Sequence, residues 1–133
     1  MKIIFACVHN AGRSQMAAAF FNALVERKED EAVSAGTQPG ERVHPEVLIA
    51  MNELGIDLSN AKPQLLTAEL VRNAGLLVTM GCGEACPYVS GLKRQDWPLP
   101  DPKGKSIEEV RKIREEIRIR VQALINALHE AKV

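Results

Sequence analysis

Aromatic side chains are scarce, with one Trp, one Tyr and three Phe among 133 residues. A pocket built to hold a flat ring would have few walls, with Tyr88 and Trp97 the nearest candidates. Net charge is also missing: seventeen Lys and Arg balance seventeen Asp and Glu, so nothing in the total favours nucleic acid or a membrane surface. Any anion site must be local. The chain lacks a long apolar run as well. Its first residues, Met-Lys-Ile-Ile-Phe-Ala-Cys, stop at His9 and Asn10, too short for a signal-peptide core or a membrane span. They read as a buried strand, and the expected location is cytoplasmic. Three cysteines are too few, and odd in number, for a disulfide framework, which leaves reactive or plain buried thiols. No repeat, low-complexity tract or linker divides the sequence, so residues 1–133 are expected to form a single domain.

What is present alternates between two periods. Ile3 to Ala6 forms a short apolar run, and Met16, Ala17, Phe20, Phe21 and Leu24 then recur at helical spacing from Ser14 to about Lys28. A second strand fits Ala32 to Ala35. Val43, Val47, Met51 and Leu54 mark one face of a second helix, closed by Gly55. Thr67 can cap a short helix through Asn73, and Leu76 to Met80 supplies a third strand. The segment Gly81 to Lys105 holds most of the prolines, with a short fourth strand expected near Arg94 to Trp97. From Ser106, a predicted N-cap, Ile107, Val110, Ile113, Ile117, Val121, Leu124 and Leu128 stripe a long final helix. The pattern predicts an α/β fold, a small three-layer sandwich around a four-stranded parallel sheet. Ligands of such sheets bind beyond the carboxyl ends of the strands, where Cys7 and Cys82 both fall.

The segment Cys7-Val8-His9-Asn10-Ala11-Gly12-Arg13-Ser14 joins a strand to a helix. Loop amides and the helix N-terminus then converge with partial positive charge, a setting that holds a tetrahedral anion. Gly12 lets the backbone curl without a side chain in the way, and Arg13 adds a planar fork that engages two oxygens at once. The same environment favours a thiolate at Cys7 over a thiol, with Ser14 placed to donate to the sulfur and Asn10 to tie the loop together. The plainer alternative is a buried strand-end cysteine beside an ordinary helix-opening arginine. His9 has no required chemical role.

Taken together, the strand, the C-x5-R-S loop, the helix, Ser34-Ala35-Gly36 after the second strand and Asp101-Pro102 resemble the low-molecular-weight protein tyrosine phosphatase superfamily. The resemblance implies that fold, with Asp101 as the general acid; without it, Asp101 reads as a turn aspartate. Two further thiols separate the chain from a simple phosphatase. Cys82 and Cys86 follow the third strand, and four residues of one helical turn put their Cα atoms about 6 Å apart, within disulfide reach. The set looks like the arsenate reductases built on the phosphatase fold. That likeness implies Cys7 as nucleophile on arsenate, Cys82 as resolving thiol and Cys86 as the thiol that completes the disulfide. Phosphate and sulfate are expected competitors.

The Cys82–Cys86 spacing is tighter than in the best-known thioredoxin-coupled members, so thioredoxin and glutaredoxin both stand as expected reductants. Those members bind potassium beside the loop. Asn10 and Ser34 match part of that site, but Ala18 and Ala61-Lys62 stand where acidic ligands are needed, and neither a metal nor a cofactor is expected. Two other readings stay open: a hydrolase of phosphotyrosine or small phosphoesters, and a non-catalytic phosphate carrier. The mixed charges of the last helix, from Glu108 to Arg120, read as a solvated face.

Overall fold

In the computed structural model, which describes residues 1–81 and 89–130, four strands and four helices follow the predicted order. They are β1 (Lys2–Cys7), α1 (Arg13–Leu24), β2 (Glu31–Gly36), α2 (Pro45–Asn52), α3 (Ala68–Arg72), β3 (Leu76–Thr79), β4 (Lys93–Asp96) and α4 (Ile107–Glu130). The strands lie in the order β2-β1-β3-β4, every pair parallel. The register aligns Cys7 with Gly36 and Ala6 with Thr79, so β1, β2 and β3 all end at one edge of the sheet.

Alternation along β1 sorts its side chains between two layers. Ile3, Phe5 and Cys7 join the larger core with α1, α2 and α4, while Ile4 and Ala6 pack with Leu77 and Val71 of α3 on the thinner side. Phe5 and Phe21 are completely buried, each contributing roughly 1.5–3 kcal/mol by removal from water. Trp97 packs its ring 5.6 Å from that of Phe5 and is 6% exposed. It is a core residue, not a wall for a ring-bearing ligand.

The first helix ends at Leu24, short of Lys28. Val25 is extended, and Arg27 turns back to bond Asp30, whose buried carboxylate also accepts from the Met1 amino group. Burial opposes ionisation of Asp30; the hydrogen bonds from Arg27 and Met1, with their charges, outweigh it and hold its pKa below the usual carboxylate range. The second helix stops at Asn52, which leaves Leu54 44% exposed instead of on the apolar face, before Gly55 turns the chain at φ 77°. Thr67 caps α3 by accepting from the Leu70 amide, and Ser106 accepts from Glu109 at the start of α4.

The charges of α4 are not all a solvated face. Arg114 is buried and donates to the Ala50 carbonyl and the Glu53 carboxylate, each at 2.8 Å, while Arg111 donates to Glu53 at 3.0 Å. Ala50 lies in the last turn of α2, where carbonyls run out of intrahelical partners. The two arginines therefore cap α2 and fasten it to α4. No helix among the described residues is long and apolar enough to cross a membrane.

Candidate active site

The backbone of the Cys7–Ser14 loop is turned in one sense. The carbonyls of Cys7, Val8, His9 and Ala11 accept from the amides of Thr37, Gln38, Gly40 and His44, and that of Asn10 accepts from Gln15. In a trans peptide the N–H points opposite to the carbonyl of the same unit. The amides of Val8, His9, Asn10, Ala11 and Gly12 therefore face away from those partners. The first turn of α1 continues the set, since its N–H groups have no intrahelical acceptor. A concentration of amide dipoles of this kind suits an oxyanion.

Cys7 ends β1 and is 2% exposed, its Sγ 2.8 Å from Ser14 Oγ. The direction of that hydrogen bond follows from the next partners. Gln64 N, which can only donate, bonds Asn10 Oδ1 at 2.9 Å, so the other end of the amide is Nδ2, which donates to Ser14 Oγ at 2.7 Å. With its oxygen accepting from Asn10, Ser14 can turn its hydrogen to the Cys7 sulfur. Asn10 does this from φ 52°, in the left-handed region that asparagine tolerates better than most residues.

Gly12 keeps a side chain out of the way, as expected, and the structure shows of what. A Cβ there would lie 2.6 Å from Pro102 Cγ. The missing side chain lets the Asp101-Pro102 turn sit against the loop. Arg13 is 8% exposed, donates through Nη1 to the Leu99 carbonyl at 3.0 Å and holds Nη2 3.8 Å from Asp101 Oδ2. Asp101 is the turn aspartate the sequence allowed, its Oδ1 accepting from the Lys103 amide, and its other oxygen faces Arg13. Gly81, at φ 95°, lies beneath the guanidinium; a Cβ there would collide with Arg13 Nη1.

Cys7, Asn10, Arg13, Ser14 and Asp101 are thus brought together at the carboxyl edge of the sheet. Cys82, Cys86 and Tyr88 lie outside the described residues. Gln15 and Gln64 escaped sequence reasoning. Gln64 and Gln15 sit outside the motif, and the bridge between Gly36 and Leu65, with the bonds to Asn10 and Gln15, brings the segment from Lys62 to Leu65 against the loop. Ser34, placed with Asn10 by the potassium-site resemblance, gives its carbonyl to Gln64 Nε2. Among the described residues no group of three or more His, Cys, Asp or Glu could hold a metal ion.

A strand-ending cysteine, inverted loop amides, a buried arginine and a facing Asp-Pro turn define a phosphatase-like oxyanion enzyme. The family model described as low molecular weight phosphotyrosine protein phosphatase matches residues 2–133, and the chain belongs to that family.

Within it, the relatives carry a narrower name. A Halobacterium salinarum protein, provisionally named an arsenate reductase, is 40% identical over 129 residues, covering 94% of this chain and 91% of its own. A Staphylococcus aureus arsenate reductase is 34% identical over 124 residues, covering 90% of this chain and 92% of its own. Among solved structures, the thioredoxin-dependent arsenate reductase of Corynebacterium glutamicum superposes with a TM-score of 0.85 at 36% identity. That match covers 98% of this chain, which spans 62% of the longer protein. An arginine phosphatase from Geobacillus stearothermophilus superposes at 0.82 with 26% identity, covering 98% of this chain and 94% of its own.

Proposed function

We propose that this protein reduces arsenate to arsenite, with Cys7 as the nucleophile. The observation that carries the reading is the 2.8 Å contact of Cys7 Sγ with Ser14 Oγ at the mouth of the inverted amide loop, with Arg13 beside it. Relatives named arsenate reductase supply the choice of anion. The amides of Val8 to Gly12 and the Arg13 guanidinium hold the oxyanion, and phosphate or sulfate competes for the same place.

The chemistry balances as a two-electron reduction paid in thiols. The Cys7 thiolate bonds to arsenic as one As–O bond breaks, and Asp101 protonates the departing oxygen, which leaves as water. Cys82 then attacks the Cys7 sulfur: the S–S bond forms, the S–As bond breaks, and its electron pair stays on arsenic, which leaves as arsenite. Cys86 attacks Cys82 and frees Cys7. The reductant of the Cys82–Cys86 disulfide is thioredoxin, following the thioredoxin-dependent neighbour, with glutaredoxin as the alternative donor.

Arsenate-dependent NADPH oxidation, coupled through thioredoxin and its reductase or through glutaredoxin and glutathione, tests the reading. Turnover is expected with one donor and is expected to vanish in Cys7→Ser, Cys82→Ser and Cys86→Ser. No turnover with either donor would count against it. A second reading, a phosphatase, has its own support in the arginine phosphatase neighbour. It predicts hydrolysis of phosphoarginine or an aryl phosphate that survives Cys82→Ser.

A further inference from the structure

The carboxamide of Gln15 faces more acceptors than it can satisfy. Its Nε2 lies 3.1 Å from the Asn10 carbonyl oxygen, 3.2 Å from Asn10 Oδ1 and 3.3 Å from the Lys62 carbonyl oxygen. An amide nitrogen has two hydrogens, so three oxygens share them. Gln15 is 6% exposed and Asn10 is fully buried, so water is a poor substitute at either residue. The acceptors come from two stretches of chain far apart in sequence, the oxyanion loop and the segment that runs into Gln64.

This arrangement bears on Cys7 through a short chain of bonds. Asn10 directs Nδ2 to Ser14 only while Oδ1 is held on the opposite side, by Gln64 N at 2.9 Å and by Gln15. Gln15 also bonds the Asn10 carbonyl, which helps keep that residue at φ 52°. If the Asn10 amide turned over, its oxygen would face Ser14 Oγ. Ser14 would then donate to Asn10 and have no hydrogen for the Cys7 sulfur.

We infer that Gln15 is a positioning residue: it fixes the polarity of the Asn10–Ser14–Cys7 relay so that Ser14 donates to the sulfur. The inference rests on Cys7 being the nucleophile, but not on which oxyanion it attacks. Buried hydrogen-bond chains reinforce one another, so an error at one end is felt at the other. Gln15 touches neither the sulfur nor the anion; it acts through Asn10.

Two near-isosteric variants test it. Gln15→Met keeps the volume and removes the donor, while Gln15→Glu puts a carboxylate oxygen among three acceptors. Alkylation of the Cys7 peptide by iodoacetamide, followed across pH by mass spectrometry in the full chain, reads the sulfur without any substrate. In Gln15→Met the pH of half-maximal alkylation is expected to rise relative to wild type, with kcat/KM for arsenate falling about tenfold, and in Gln15→Glu about a hundredfold. Thermal unfolding of the same samples reports the fold separately, and Gln15→Met decides the matter if Gln15→Glu does not fold. A lowered midpoint of unfolding with an unchanged alkylation profile and unchanged kcat/KM would reduce Gln15 to packing and overturn the inference. A wild-type Cys7 no more reactive than free cysteine at neutral pH would instead remove the nucleophile reading on which it stands.

Discussion

Arg13 and Arg114 are buried to the same extent, each 8% exposed, yet their surroundings differ. Arg114 is matched: it bonds the Ala50 carbonyl and Glu53 at 2.8 Å and Glu115 at 3.0 Å. Arg13 bonds one carbonyl, that of Leu99, and its ion pair among the described residues is the 3.8 Å approach of Asp101. A guanidinium whose carboxylates are close and hydrogen-bonded has finished its work in the folded protein. One with a single distant carboxylate, beside inverted amides, keeps its charge for a ligand. The contrast separates the arginine that holds the fold from the arginine that we propose serves the reaction.

Substitutions should split the two along the same line. Arg13→Lys is expected to lower kcat/KM for arsenate by roughly a hundredfold or more, because one ammonium cannot replace the two-pronged contact, while the thermal midpoint moves little. A loss confined to stability would erase the distinction. Asp101→Asn is expected to lower kcat by about ten- to a hundredfold by removing the proton donor. Its KM for arsenate should hold or fall, since the carboxylate that faces Arg13 loses its charge. A raised KM with an unchanged kcat would make Asp101 a binding residue instead.

At the other arginine, Arg114→Met is expected to cost about 1–3 kcal/mol of unfolding free energy, measured by urea denaturation, by leaving the Ala50 carbonyl without its donor. Its kcat/KM should match wild type. The smallest effect is an acid one. Hydrogen bonds from Arg111 and then Arg114, aided by their charges and opposed by partial burial, lower the Glu53 pKa from 4.5 to about 2. A lowered folded value means the stabilisation is complete above about 4.5 and is lost as pH falls toward about 2. The stability gap between wild type and Glu53→Gln should therefore narrow across that window, and a constant gap would show that the ion pairs contribute nothing there.

How far the sequence foretold this depends on the range of the interactions. The order of strands and helices was legible because apolar periodicity records burial locally, and the α4 stripe from Val110 to Leu124 is buried as expected. The Cys7–Ser14 loop was legible because its residues are contiguous. Arg114 was misread as surface because its partners, Ala50 and Glu53, are more than sixty residues away. Gln15 escaped for the same reason: one of its acceptors is on Lys62, and nothing local marks it. Gly12 was read locally as keeping a side chain out of the way, but that Pro102 is what it makes room for, and that Asn10 takes the left-handed position, became visible only in the fold.

The central claim is that the adduct formed at Cys7 is resolved by a thiol, not by water. The most direct measurement is intact-mass and peptide mass spectrometry of the fully reduced protein after a single addition of arsenate, without any external reductant. The account predicts a loss of two hydrogens, located at Cys82 and Cys86 in wild type and at Cys7 and Cys82 in Cys86→Ser, with one arsenite released per chain. An unchanged mass with arsenate, together with phosphoester hydrolysis that persists in Cys82→Ser, would contradict it.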